Sequence, residues 1–139
     1  MFQKVLVGFD GSGASRKALE VALDLAGRCQ AKVTAVQVVR IPDYLEVVED
    51  VDTAVEEGEA SLSEARGWLQ AAAERSQLAV DVRTVVGHPA ETITRLVEDE
   101  GFDLVVLGRR GLSAVQRWML GSVSDKVVRH APCAVLVVP

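Results

Sequence analysis

Aromatic residues are scarce in this 139-residue chain, at 4%. A core without large rings must be filled by aliphatic side chains, and the sequence supplies 25 valines. Such valine-rich, aromatic-poor composition points to parallel strands buried on both faces. Cysteine is nearly absent. Cys29 and Cys133 lie far apart and form no C-x-x-C pair, which excludes a disulfide framework or cysteine-rich zinc site and makes a reducing cytoplasm the expected compartment. There is no basic surplus. The net charge is −5, which argues against general nucleic-acid or anionic-membrane binding. No apolar run approaches the roughly 20 residues of a membrane helix. Met1-Phe2-Gln3-Lys4 runs straight into a strand without a signal-peptide pattern. No linker, low-complexity tract or internal repeat breaks the chain, so a single domain over residues 1–139 is expected.

What is present is a regular alternation. Five apolar runs read as strands: Lys4–Phe9, Val33–Val39, Val80–Val86, Leu104–Leu107 and Ala134–Val138. Between them lie helical periodicities. Ala18, Ala22, Leu25 and Ala26 mark a helix over Ser15–Arg28, with Ser12 or Ser15 placed to cap it. Val55, Leu62, Ala65, Leu69 and Ala72 keep the period from Val51 to Ser76. Pro89 starts a third helix, built on Ile93, Leu96 and Val97 and closed by Gly101. Ser122–His130 is a fourth, stopped by Pro132. Strands alternating with helices predict a parallel α/β sheet covered on both faces. Such sheets bind ligands at the carboxyl ends of their strands, where strand order reverses. The loops after the first and fourth strands are therefore the places to search.

Charge is unevenly spread. Asp43 to Glu59 holds eight acids and no base, most simply a solvated face. Arg109 to His130 holds five Lys or Arg against one acid, Asp125. This basic stretch coincides with a glycine loop, Gly108-Arg109-Arg110-Gly111, followed after nine intervening residues by Gly121-Ser122. Glycines permit close approach to the main chain, and a helix start offers unpaired N–H groups. Together they can cradle a phosphate, with Arg109, Arg110 and Arg117 adding charge and Ser122 placed as N-cap or phosphate donor. Each glycine taken alone reads equally well as a turn residue. Two other phosphate motifs fail: Ala14 stands where a P-loop after Gly8 and Gly13 needs lysine, and Arg16 where a dinucleotide fingerprint from Gly11 needs its third glycine.

The spacing G-x(2)-G-x(9)-G-[ST], met by Gly108, Gly111, Gly121 and Ser122, resembles the nucleotide-binding signature of the universal stress protein family. Val7-Gly8-Phe9-Asp10-Gly11-Ser12 is similar to the family's opening, and Val85–Pro89 to its segment before the third helix. Asp103–Gly108 and Ala131–Val138 are similar to its fourth and closing strands. The resemblance implies an open five-stranded parallel sheet of order 3-2-1-4-5 that binds ATP or a related adenine nucleotide (AMP or ADP), with Mg²⁺ accompanying the ligand. It implies that Gly8, Phe9 and Asp10 end the first strand beside the nucleoside, that Val38 contacts adenine, and that Leu107 and Gly108 lie close by. Arg110, Gly111, Gly121, Ser122, Val123 and Ser124 are then expected around the phosphates. Gly8-Phe9 and Gln37 depart from the family, where some relatives have proline with a small polar residue, and many have histidine, respectively.

Asp10 reads either as a ribose acceptor or as a turn and helix cap, and Val38 either as an adenine contact or as core. His88 and His130 read as structural, and Asp50-Val51-Asp52 as solvated charge. Cys29 and Cys133 read as buried apolar fillers. With no H-E-x-x-H or nucleophile elbow, binding is favoured over turnover; slow ATP hydrolysis at Asp10 and a pure interaction module are the alternatives. The apolar last strand, Ala134–Val138, is expected at an edge, and the resemblance implies a homodimer through it. Trp118 and Met119 read as partner contacts or as a cover over the nucleotide. Neither nucleic acid nor membrane is an expected partner.

Overall fold

The computed structural model describes residues 1–40, 67, 69–109 and 121–139, without the side chain of Arg40. The chain opens with β1 (Lys4–Gly8), α1 (Gly13–Cys29) and β2 (Lys32–Arg40). Residues 69–76 are helical and form the described part of α2. Then come β3 (Val80–Gly87), α3 (Pro89–Glu100), β4 (Leu104–Gly108), α4 (Ser122–His130) and β5 (Ala134–Val138). All strand pairs are parallel and the order is β3-β2-β1-β4-β5, as the resemblance implies.

The order follows from the patterning. Strand residues alternate between two apolar faces. Val5, Val7, Phe9, Val33, Ala35, Leu104 and Val106 pack under α1 and under Leu69 and Ala72 of α2. Leu6, Val36, Val105 and Leu107 pack under Ala90, Ile93 and Val97 of α3 and Val127 of α4. The chain therefore winds one way for two helices, returns to the centre, and winds the other way for two more. β1 and β4 flank the reversal. Each fully buried Leu or Val contributes about 1.5–3 kcal/mol, and the central strands hold most of them.

Helix boundaries are set by local chemistry. α1 begins at Gly13, two residues ahead of the expected Ser15, because Ser12 caps it: its Oγ accepts the Ser15 N–H at 3.2 Å and its C=O accepts the Arg16 N–H. Gln30, in a left-handed conformation, ends it by donating its N–H to Ala26 C=O. Pro89 starts α3 and Gly101 closes it, as the sequence indicates. None of the described helices is long and apolar enough to cross a membrane.

Candidate functional site

The carboxyl ends of β1, β2 and β4 meet the start of α4 at the reversal. Gly8 ends β1, and the Phe9 N–H bonds Val36 C=O at 2.9 Å. The Phe9 ring is buried under α1, so only its main chain faces the strand ends. Asp10 is half-buried and accepts the Ser12 N–H on Oδ1 at 2.9 Å. The turn-stabilising reading of this aspartate is thus realised, and it engages one of two carboxylate oxygens. Gly11, at φ +84°, makes the turn that a side chain would strain.

β2 outruns β1. Among the described residues the β1–β2 ladder ends at the Phe9–Val36 bond. In a parallel ladder alternate residues direct both main-chain groups to the same neighbour. Val36 faces β1, so the N–H and C=O of Val38 face the space beyond the end of β1. The Val38 side chain is half-buried against the α3–α4 core, so its packing role is real, while its main chain lies past the end of β1.

Gly108 ends β4 beside buried Leu107. A Cβ at Gly108 would lie 2.9 Å from the main-chain carbonyl carbon and from Cβ of Ala14. This glycine is therefore required by the first turn of α1, which packs directly on it. The Ser124 hydroxyl, buried, donates to Gly108 C=O at 2.8 Å and ties α4 to the same strand end. Arg109 donates its N–H to Val138 C=O at 2.6 Å and accepts the Gly121 N–H at 2.8 Å.

The cap of α4 is Gly121, with extended φ −62° and ψ 156°, and its C=O accepts the Asp125 N–H. Ser122, expected as the N-cap, is instead the first helical residue, because Gly121 already supplies the extended backbone and the carbonyl that a cap requires. No side chain caps the helix, and no backbone acceptor for the amides of Ser122, Val123 or Ser124 is found among the described residues. α1 differs, since Ser12 occupies its first turn. Ser122 is exposed, Val123 half-buried and Ser124 buried. Arg110, Gly111, Arg117, Trp118, Met119 and the acidic run 43–59, with Asp50 and Asp52, lie outside the described residues.

One nearby group had only a weak signal in the sequence, as a departure from the family. Gln37 precedes Val38, pairs with Thr84 of β3, and holds a carboxamide oxygen enclosed without any hydrogen-bond partner. The remaining chemistry-bearing residues are remote or inert. Burial pushes the Cys133 thiol up, aided by Asp103, which keeps it protonated. Cys29 and Cys133 are half-buried rather than fully buried. His88 and His130 are exposed, at the start of α3 and the end of α4. Among the described residues no three His, Cys, Asp or Glu side chains form a group able to hold a metal.

A doubly wound parallel sheet whose order reverses between β1 and β4, with a glycine-capped helix start at that reversal, defines an α/β domain of the kind that takes ligands at its strand ends. Residues 1–139 match the universal stress protein family, and the chain belongs to it. A Staphylococcus haemolyticus protein assigned to the universal stress proteins is 36% identical over 140 residues, covering 99% of this chain and 84% of that one. The universal stress protein UspA from Lactobacillus plantarum superposes with TM-score 0.84 at 29% identity, covering 99% of this chain and 98% of that one. A universal stress protein solved in complex with cAMP superposes with TM-score 0.73 at 30% identity, covering 99% and 97%.

Proposed function

We propose that the protein binds an adenine nucleotide, ATP before AMP or ADP, in the crevice at the carboxyl ends of β1, β2 and β4, and that it acts as a stress-response or regulatory protein whose state is set by occupancy. The observation that carries this reading is the start of α4, where three consecutive amides have no capping partner among the described residues. A phosphate is the ligand such a helix start accepts best. That a relative 30% identical holds cAMP supports an adenine ligand.

Each residue has a part in this reading. The amides of Ser122, Val123 and Ser124 and the Ser122 hydroxyl hold the phosphates, joined by Arg110 and Gly111. The Gly121 N–H is already engaged by Arg109, so Gly121 serves by leaving room. The second oxygen of Asp10 accepts a ribose hydroxyl. Gly8, Phe9, Leu107 and Gly108 floor the nucleoside, and the main chain of Val38 meets the base edge. Mg²⁺ would be carried on the triphosphate. With both thiols unbridged, the cytoplasm is the compartment we assign.

Calorimetry of nucleotide-free protein with ATP, AMP and GTP tests the reading. ATP should bind, and Gly121→Val should weaken it by roughly a hundredfold or more, about 2.7 kcal/mol. No heat and no thermal stabilisation with any of the three would remove the proposal.

We further propose a homodimer through β5, the edge strand next to β4. Val138 C=O points to β4, so by ladder alternation the main-chain groups of Val135 and Val137 face outward. Val137→Pro removes an outward donor while sparing the internal ladder. It should give a monomer in sedimentation, and a variant that stays dimeric would move the interface elsewhere.

A further inference from the structure

The unpartnered oxygen of Gln37 deepens the reading of the crevice as an adenine site, and it rests on that reading. Gln37 sits where β2 begins to outrun β1, level with Phe9 and one residue before Val38. Its side chain lies on the same face of the sheet as Val33 and Ala35, the face covered by α1. Its Oε1 is shut away from solvent, and no donor reaches it. Nearly all enclosed polar atoms in folded proteins have a partner, so one that lacks it calls for an explanation. The terminal torsion of a glutamine is soft. Rotation there re-aims the oxygen without moving the main chain, so a group bound at the strand end can supply the missing donor.

We propose that Gln37 is a specificity-determining residue that accepts a hydrogen bond from the exocyclic 6-amino group of the bound purine. The neighbouring main chain fixes the choice of donor. Val38 presents an N–H and a C=O past the end of β1, a pair complementary to the ring nitrogen and amino group on the edge of adenine. The amino group carries two hydrogens. Val38 C=O takes one and Gln37 Oε1 the other. A purine with a 6-oxo group would set its oxygen against both acceptors, and two unmatched acceptors are disfavoured.

The test compares ATP with ITP, which differ at that position, by calorimetry on the full chain. Wild type should prefer ATP by tenfold or more, the scale of one hydrogen bond to a buried partner. Gln37→Met keeps length and flexibility but has no strong acceptor, and should bring the preference down by about tenfold. The thermal midpoint of its ligand-free form should stay level or rise, since an unpartnered oxygen is removed. Gln37→Glu retains acceptor oxygens and should keep the preference. An unchanged preference in Gln37→Met, or loss of preference in both variants alike, overturns the role of Gln37 while leaving the nucleotide site standing. Failure of wild type to bind either triphosphate overturns both proposals together.

Discussion

The two ends of the sheet are built differently. At the amino ends of the strands the polar groups lock on one another. Asp103 accepts the N–H groups of Gln3 at 2.8 Å and Lys4 at 3.0 Å. The Lys4 ammonium donates to Glu100 C=O and sits 4.7 Å over the Phe102 ring. Arg83 bridges both oxygens of Glu100 and one of Asp81. At the carboxyl ends, among the described residues, the amides of α4 are uncapped and the Gln37 oxygen has no partner. One end has spent its hydrogen-bonding capacity on the fold, and the other leaves some of it open among the described residues, which is what the proposed nucleotide would use. Local inconsistency confined to one rim of an otherwise consistent domain is the mark of a site.

The sharpest way to break this contrast is Gly108, which belongs to the carboxyl rim but is held there by packing. Gly108→Val drives side-chain atoms into the main chain of Ala14 and should cost about 3 kcal/mol of stability in urea unfolding. Gly13→Ala, where a Cβ meets nothing within 4 Å, should change stability by less than about 1 kcal/mol. Equal effects at the two positions would remove the packing explanation. Next in size is Asp103→Ala, which strips two amides of a charged acceptor and should cost about 2 kcal/mol, discounted for partial exposure. ATP affinity should be unaffected; a parallel loss of binding would mean that the two ends are coupled.

The smallest effect is acidic. Arg83 holds the Glu100 carboxyl below its ordinary range. A group with a depressed folded-state pKa contributes stability above its unfolded value, here near 4.5, and that contribution fades as pH falls through the folded value. Both partners are about one-third exposed, so the contribution should stay under about 1 kcal/mol. Urea midpoints of wild type and Glu100→Gln should differ at pH 7 and converge toward pH 3. A gap that persists at low pH would assign the effect to packing instead.

Much of the fold was legible because its determinants are local. Valine runs marked the strands to within a residue or two, and Pro89, Gly101 and Pro132 punctuated the helices. The glycine spacing pointed to the rim, yet Gly108 and the nearby Ser124 have packing roles that spacing alone does not reveal. Gly108 serves Ala14, which lies far away in sequence, and the Ser124 hydroxyl serves Gly108. The amino-end lock was invisible for the same reason, since Asp103 meets Gln3 and Lys4 across 100 and 99 positions. The lone oxygen of Gln37 depends on what surrounds it in three dimensions, and a glutamine in a strand carries no mark of that.

Arg109 joins two parts of the chain through one peptide unit on each side. Its N–H holds the last residue of β5, and its C=O holds Gly121, the cap of α4. Residues 121–139 are thereby stitched to β4 at both their first and nearly last positions. If the α4–β5 pair opens as one cooperative unit, the Arg109 and Gly121 amides should exchange with solvent in step, which native-state hydrogen exchange would read.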